Sequence, residues 1–380
     1  MKQESLSSPG MGRRHQAAVP LLCLRLRLCL WLSIILILFF LASCGRDSSP
    51  VNPAKPKNTA AMSRTMMMFG TVSRITLYDH ATQENFDAAI AVLQSVDALI
   101  NRNLPDSELG QVNAQAGIAP VTVSRELVDL MDTALYYASL SNGAFDPTIG
   151  PLVDAWGIMT DRVHVPAKEE IEAVLPLVDW RLVELDKVRN TIYLPLTGMS
   201  LDFGAIGKGY AADKVRETLA GKGVESAIIN LGGNVFVMGT KTDGSAWNIG
   251  LQDPFMERGD YFMTVRASDE TVVISGPYER YFVQDGVIYH HLMDKKTGYP
   301  ADTDITTAAV IGTSSAAADS LSTAIFVLGI RQGLELIDSL PGMEAILLDS
   351  SGNIYLSEGL SANPERLSLI KEGYVLRNFT

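Results

Sequence analysis

The length, composition and charge of the chain are those of a folded globular protein. It has 380 residues, of which 47% are hydrophobic and 19% charged, and its net charge is −12 at pH 7. So long a chain can bury a large core, and its acidic balance excludes a general nucleic-acid binder, which needs a basic face. All three cysteines lie within the first 44 residues, so the later sequence has no disulfide framework, cysteine zinc cluster or catalytic cysteine.

An apolar segment at residues 20–43 predicts a secretory signal. Its longest uninterrupted stretch, 28–42, is short for a membrane span but suits the hydrophobic region of a signal peptide. The run ends in Leu-Ala-Ser-Cys-Gly, which resembles the bacterial lipobox, whose cysteine is lipidated and becomes the first mature residue. We therefore expect a lipoprotein signal peptide over 1–43 and a lipid on Cys44 that anchors the protein to the cell envelope, on the periplasmic or extracytoplasmic side. The alternative is an uncleaved anchor helix with an incidental cysteine.

The segment that follows Cys44 predicts a tether. Residues 45–63 are polar and rich in Pro, Ser and Asn, a composition typical of flexible linkers. We assign 44–64 to this lipidated tether. No comparable linker occurs later, so residues 65–380 are predicted to form one compact domain.

The hydropathy pattern of this domain predicts strands and helices in the following order. Alternation predicts a strand at 71–78, helical spacing predicts a helix at 85–102, and Ser124 is the expected N-cap of a helix through Tyr137. A helix at 210–219 precedes a series of strands at 227–231, 235–238, 247–251, 261–265, 271–274, 281–283 and 287–292. A helix at 316–328 and strands at 345–348 and 354–356 complete the order. Because the strands cluster apart from the helices, we expect an α+β fold with antiparallel sheets.

Three glycine-containing turns are candidates for contact with a ligand. Asp146 stands in Gly-Ala-Phe-Asp-Pro-Thr, and Asp202 and Lys208 stand in a glycine-rich loop that enters a helix, where backbone N–H groups can face a phosphate. The second loop matches neither the Walker A nor the GxGxxG pattern, so the class of its ligand stays open. Asn-Leu-Gly-Gly-Asn at 230–234 favours a hairpin turn. A purely structural turn is the alternative for each.

Two consecutive histidines, His290 and His291, lie on a predicted strand. Side chains of adjacent strand residues point to opposite faces, so the two cannot easily bind one metal ion. One of them is expected to be structural or exposed. The other, if it faces a cleft, is suited to act as a general base because its ordinary pKa is close to neutrality.

Asp319 and Thr323 are four residues apart at the start of a predicted helix, which places their oxygens on one face. A carboxylate and a hydroxyl, together with a carbonyl and phosphate oxygens, form the hard-oxygen set that Mg²⁺ prefers. The alternative is an N-capping aspartate beside an ordinary threonine.

In their order and combination these motifs resemble the ApbE family of FAD:protein FMN transferases, over about 67–329. The resemblance implies an α+β fold related to tunnelling-fold domains, with antiparallel sheets flanked by helices. It also implies that FAD is the substrate, that Mg²⁺ assists, and that FMN is transferred to a threonine or serine hydroxyl of a target protein with release of AMP. The expected target is a subunit of a membrane redox complex.

The resemblance also assigns site residues by position. FAD would be bound by Phe69, Asn103, Ala144, Phe145, Asp146, Asp202, Lys208 and Met293; the metal would be held by Asp319, Thr323 and the Ala205 carbonyl, with Ser322 adjacent; His291 would be the general base. Three positions depart from the family pattern. Phe69 stands where many members have a methionine that lines the flavin site, Asn103 where an aromatic residue often stacks on the flavin, and Lys295 where a proline is usual. These departures bear on the shape of the pocket and on flavin affinity, because the metal and base positions match.

Two other functions fit the same residues. One is a periplasmic FAD pyrophosphatase, which uses water as acceptor and yields FMN and AMP. The other is a flavin-binding lipoprotein without catalytic activity. The Asp319 and Thr323 pair argues against the second, since flavin storage does not require a metal at the pyrophosphate.

Overall fold

The computed structural model describes residues 60–158 and 160–377. These lie within one compact unit that spans Lys57–Thr380. The predicted signal peptide, Cys44 and most of the predicted tether lie outside the described residues. The tether prediction is wrong at its C-terminal end, because a strand already begins at Met62 and pairs with the next strand along its whole length.

The described residues form nineteen strands, some joined by tight turns and others by helices. In order they are β1 (Met62–Met68), β2 (Thr71–Leu77), β3 (Val121–Thr122), β4 (Glu184–Asp186), β5 (Thr191–Tyr193), β6 (Ala227–Leu231), β7 (Asn234–Met238), β8 (Trp247–Gln252), β9 (Tyr261–Ala267), β10 (Glu270–Ser275), β11 (Tyr281–Gln284), β12 (Val287–His290), β13 (Met293–Asp294), β14 (Tyr299–Pro300), β15 (Thr307–Gly312), β16 (Glu344–Leu348), β17 (Asn353–Leu356), β18 (Leu367–Leu369) and β19 (Val375–Arg377).

A nine-stranded sheet forms the centre of the domain, in the spatial order β1-β2-β6-β7-β10-β15-β16-β17-β19. Every neighbouring pair is antiparallel except β17 and β19. The predicted α+β fold with antiparallel sheets is confirmed. The sequence pattern missed the strand at Thr307–Gly312, whose six residues are all buried and therefore show no alternation between apolar and polar positions.

The helices are α1 (Gln83–Ile100), α2 (Glu108–Ala114), α3 (Arg125–Leu140), α4 (Gly150–Trp156), α5 (Lys168–Val174), α6 (Gly207–Gly221), α7 (Ser315–Asp338) and α8 (Glu358–Ala362). Ser124 caps α3 as predicted, since its side chain accepts a hydrogen bond from the Leu127 N–H at 3.2 Å. Gly329 interrupts α7 with φ 82° and ψ 173°, directly after the predicted end of that helix, and a second helical stretch continues to Asp338.

Two apolar layers enclose the central sheet. Val273 on β10 packs in the layer that holds Leu321 and Ile325 of α7. Its neighbour Val272 packs in the opposite layer, with Trp247 and other residues of the small sheet β18-β9-β8. Within the described residues, α7 is long and apolar enough to cross a membrane, but 56% of its apolar window is buried inside the protein. It is therefore a core helix of this domain.

Candidate active site

A cleft of about 410 Å³ lies where the loops that precede α4 and α6 meet the first turns of α7 and the segment that follows β12. Most of the predicted site residues line it: Ala144, Phe145, Asp146, Asp202, Ala205, Lys208, His291, Met293, Asp319 and Thr323. Phe69, Asn103 and Ser322 are not among its lining residues. The structure thus brings together residues that are up to 179 positions apart, from Ala144 to Thr323.

The first turns of α6 and α7 lie in direct contact, and this contact sets the geometry of the cleft. A Cβ atom at Gly209 would overlap the carbonyl oxygen of Ser315, so only glycine allows the two helices to approach this closely. The Asp213 carboxylate of α6 accepts hydrogen bonds from the N–H groups of Ser315 (2.9 Å) and Ala316 (3.0 Å) and so caps α7.

This contact places Lys208 of α6 opposite Asp319 of α7. The lysine Nζ lies 3.0 Å from Asp319 Oδ1 and 3.3 Å from Oδ2, and it also donates to the Gly204 carbonyl at 3.0 Å. The Asp319 side chain is only 4% exposed. The Gly209 N–H, which would bond to the Ala205 carbonyl in a regular helix, donates instead to Asp319 Oδ2 at 3.0 Å. The Ala205 carbonyl therefore stays available at the cleft.

The oxygen donors of the cleft fit a Mg²⁺ ion. Asp319, Thr323 and Ala205 supply a carboxylate, a hydroxyl and a carbonyl at one end of it. The part of the chain that the structure describes holds no group of three or more His, Cys, Asp or Glu side chains that could bind a metal. One carboxylate with neutral oxygens suits Mg²⁺, which commonly takes one or two carboxylates and completes its shell with water and substrate phosphate.

Ser322 does not join this donor set. Its hydroxyl is buried, donates to the Asp319 carbonyl at 2.9 Å and shares a hydrogen bond with the Ser275 hydroxyl at 2.8 Å. The prediction that placed Ser322 with the metal ligands is corrected accordingly: it joins α7 to β10 behind the cleft.

His291 lies at the root of the hairpin formed by β11 and β12 and lines the cleft. Its Nδ1 is 3.1 Å from the Arg280 carbonyl. A carbonyl oxygen only accepts, so Nδ1 carries the proton and Nε2 keeps a free lone pair. Burial, aided by the nearby Arg280 charge, lowers the pKa of His291 to about 3, so the ring is neutral near pH 7.

His290 has different surroundings, as the strand pattern predicts. It is buried, its ring meets the edge of Phe326 at 5.6 Å, and its Nδ1 accepts the Leu292 N–H at 3.3 Å. His290 is therefore the structural histidine of the pair, and His291 is the one placed for chemistry.

Asp146 and Asp202 line the cleft, and their carboxylate oxygens accept hydrogen bonds from other groups of the protein. Asp146 accepts from the Thr148 N–H and hydroxyl (2.9 and 2.6 Å), the Trp180 N–H (3.2 Å) and Lys295 Nζ (2.7 Å). Asp202 accepts from the Gly204 N–H at 2.8 Å and from Arg102, an arginine that also pairs with a second carboxylate. Both carboxylates thus hold the loops and two cations, Lys295 and Arg102, in place.

The three departures from the family pattern have different positions. Phe69 has φ 53° and packs against the core, while its carbonyl accepts a hydrogen bond from Arg280 at 3.3 Å. Met67, 68% exposed, lines the cleft instead. Asn103 is exposed on a loop outside the cleft. Of the three, only Lys295 lines it.

Sequence reasoning missed several charged residues of the cleft. Arg258, Glu279 and Arg280 line it, and Arg258 lies 3.3 Å from the Glu279 carboxylate. Burial raises the pKa of Glu279, and the two guanidinium groups oppose that effect. Neither arginine stands in a motif, so the sequence gives no signal for them. With Lys208 and Lys295 they give the cleft four cationic side chains, which lie among the four carboxylates of Asp146, Asp202, Glu279 and Asp319.

The fold and the cleft define a class of protein: an α+β enzyme whose site suits a phosphate-containing substrate, with cations, hard oxygen donors and a neutral histidine in one cavity. The chain belongs to the ApbE family, which its sequence matches over residues 69–347.

Relatives of known activity extend along most of the chain. It is 36% identical over 331 residues to a FAD:protein FMN transferase of Treponema pallidum, an alignment that covers 83% of this chain and 91% of the relative. It is 35% identical over 319 residues to one of Klebsiella pneumoniae, covering 82% and 96%. The ApbE protein of Thermotoga maritima has a similar crystal structure, with a TM-score of 0.74, 30% identity and coverage of 80% of this chain and 99% of that one. The apo flavinyl transferase ApbE of Pseudomonas stutzeri gives a TM-score of 0.70 at 27% identity, covering 80% and 96%.

Proposed function

We propose that the protein transfers FMN from FAD to a threonine or serine hydroxyl of a target protein, assisted by Mg²⁺, and releases AMP. The observation that carries this proposal is the convergence of His291, Lys208 and the Asp319, Ala205 and Thr323 oxygens on one cleft. These groups meet the needs of phosphoryl transfer from a pyrophosphate to a hydroxyl: a base, a cation for the phosphates and a set of hard oxygen donors.

The chemistry follows from the state of each group. A protein hydroxyl is a weak nucleophile at neutral pH, and the free Nε2 of neutral His291 can take its proton as the hydroxyl oxygen attacks the FMN phosphorus. The new oxygen–phosphorus bond forms as the bond from that phosphorus to the bridging oxygen breaks. The bridging oxygen leaves with AMP. Lys208 lies where its ammonium can offset charge on the phosphate oxygens.

The metal part of the proposal rests on the donor set. Asp319, Thr323 and the Ala205 carbonyl would hold Mg²⁺, which when bound neutralises charge on the pyrophosphate. Adding a chelator should stop turnover, and Mg²⁺ should restore it. Turnover that continues in excess chelator would refute a metal-assisted reaction.

The decisive experiment incubates the protein with FAD, Mg²⁺ and a candidate acceptor, a subunit of a membrane redox complex. A covalently fluorescent acceptor together with AMP supports the proposal. Free FMN and AMP with an unlabelled acceptor would instead identify a FAD pyrophosphatase. FAD that binds but is not cleaved would identify a flavin-binding protein without this activity. His164→Ala is a suitable control for His291→Ala, because His164 is exposed and lies outside the cleft.

The proposed location is the bacterial cell envelope, where a lipid on Cys44 anchors the protein to a membrane on the periplasmic or extracytoplasmic side. Its support is the lipobox-like Leu-Ala-Ser-Cys-Gly at the end of the apolar run. Cells that express the full chain would be grown with a labelled fatty acid and then fractionated. Label on the wild type and none on Cys44→Ser is the expected result. Equal labelling of both would refute the lipid site.

A further inference from the structure

We propose that Lys295 binds the flavin ring of FAD and donates hydrogen bonds to the carbonyl oxygens of the ring. The inference rests on the proposed function, because it takes FAD as the ligand of the cleft. Lys295 stands at a position where this chain departs from the family pattern, so the inference is specific to this protein.

The ammonium group of Lys295 is fixed inside the cleft. The lysine follows β13, lines the cavity and has a side chain only 18% exposed. Its Nζ lies 2.7 Å from Asp146 Oδ2, and the Asp146 side chain is 1% exposed. Burial of a lysine is unfavourable unless the charge is paired, and Asp146 supplies that pairing. Thr148 and Trp180 in turn hold Asp146, so the lysine cannot easily move.

The ammonium group keeps donors for a ligand. Among the described residues, Asp146 is the one hydrogen-bond partner of Lys295 Nζ. An ammonium has three N–H donors, and Asp146 Oδ2 uses one of them. Gly143 makes room for the group, because a Cβ atom there would overlap Nζ. The remaining donors are thus available to an acceptor in the cavity.

The walls near Lys295 suit a flat apolar ring. Phe145, within the Gly143–Asp146 turn, lines the cavity together with Ile149, Val153 and Met293. The groups suited to phosphate, Lys208 and Asp319, come instead from α6 and α7. The flavin ring of FAD carries carbonyl oxygens, which are strong acceptors for an ammonium group, whereas adenine offers only ring nitrogens. The pairing of an apolar wall with a fixed cation therefore favours the flavin ring at this end.

Two measurable consequences follow. Lys295 should strengthen binding of FAD and FMN, which carry the ring, and leave binding of AMP unchanged. A fixed cation beside the ring should also stabilise the negative charge that a flavin acquires on reduction, and so raise the midpoint potential of bound FMN. An ion pair with a purely structural role would produce neither effect.

The experiment compares Lys295→Met with Lys296→Met in the full chain. Lys296 is the exposed neighbour, so its substitution makes the same change of charge outside the cavity. Dissociation constants for FAD, FMN and AMP are measured with chelator present, and the midpoint potential of bound FMN is measured by dye-coupled reduction. For Lys295→Met we expect FAD and FMN to bind about 10-fold more weakly, since a charged hydrogen bond is lost. AMP affinity should stay the same and the potential should become more negative. Lys296→Met should change none of these.

A second variant guards against misfolding. Lys295→Met leaves Asp146 buried without its cation, so the double variant Asp146→Asn with Lys295→Met removes both charges. It should fold and show the same selective loss for FMN. Equal losses for AMP and FMN, or an unchanged FMN affinity and potential, would overturn the inference.

The outcome is distinguishable from a failure of the proposed function. If wild type transfers FMN to the acceptor and the Lys295 variants bind FMN normally, only this inference fails. If wild type transfers no FMN but binds it in a Lys295-dependent manner, the inference stands and the proposed function fails.

Discussion

Replacement of Asp319 by Asn tests the centre of the site, because it removes a charge and keeps the shape. Asp319 holds the one carboxylate of the proposed metal donor set, and its side chain is 4% exposed. Its partner Lys208 is 21% exposed and keeps a hydrogen bond to the Gly204 carbonyl. The asparagine oxygen can still accept the N–H of Gly209.

The expected loss of stability follows from these contacts. Removing one partner of a buried ion pair costs about 3–5 kcal/mol. Here water reaches Lys208 and one of its hydrogen bonds survives, so we expect about 2 kcal/mol for Asp319→Asn. The double variant Asp319→Asn with Lys208→Met should recover part of that loss, because it leaves no unpaired charge. Urea unfolding followed by tryptophan fluorescence measures both values.

The expected loss of activity is larger. Substitution of groups that only support a metal ligand costs about 10–100-fold, so removal of the ligand carboxylate itself should lower FMN transfer by more than about 100-fold. FAD affinity should stay within about threefold, because the rest of the cleft is intact. Glu335→Gln, exposed at the far end of α7, is the matched control and should change neither. Unchanged turnover and Mg²⁺ dependence in Asp319→Asn would refute the metal assignment, and a parallel loss of FAD binding would refute its separation from substrate binding.

Four further predictions concern His291 and Gly209. His291→Ala should slow transfer by at least about 100-fold with little change in FAD affinity, as for loss of a general base; equal changes in both would indicate a binding role. In ¹⁵N NMR of the free protein, His291 should stay neutral with the proton on Nδ1 between pH 5 and 8, and a titration near pH 6.5 would contradict its burial. Because its folded pKa is lowered to about 3, the contribution of this group to stability should fall as the pH drops from about 6.5 to about 3, where only the unfolded chain gains the proton. Gly209→Ala should destabilise the fold by about 3 kcal/mol, since its Cβ meets the Ser315 backbone, whereas Gly221→Ala at the open end of the same helix should cause no loss; equal unfolding midpoints would contradict the close contact.

The sequence predicted the elements whose side chains alternate or recur with helical period. It located β2 and β6 because their side chains alternate in burial, and it located the helix that Ser124 caps because that helix has one buried face. It missed β15, where both faces are buried, and α4 and α5, which have seven residues each and too few turns for a clear period. Periodicity in a sequence reveals an element that is buried on one side, and it cannot reveal an element that is buried on both sides.

The same limit applies to the site. Asp319 and Thr323 could be paired from the sequence because one helix turn joins them. Asp146 and Lys295 could not, because 149 positions separate them, and the same holds for Asp202 and Arg102, which are 100 positions apart. These ion pairs arise only when loops from different parts of the chain meet.

The contact between Gly209 and Ser315 makes the position of Lys208 relative to Asp319 independent of the other walls of the cleft. It fixes the distance between Lys208 and Asp319 through backbone atoms, independently of the residues on the other walls. Substitutions at wall positions such as Lys295 and Met67 can therefore alter ligand preference and affinity while the distance between Lys208 and Asp319 stays the same.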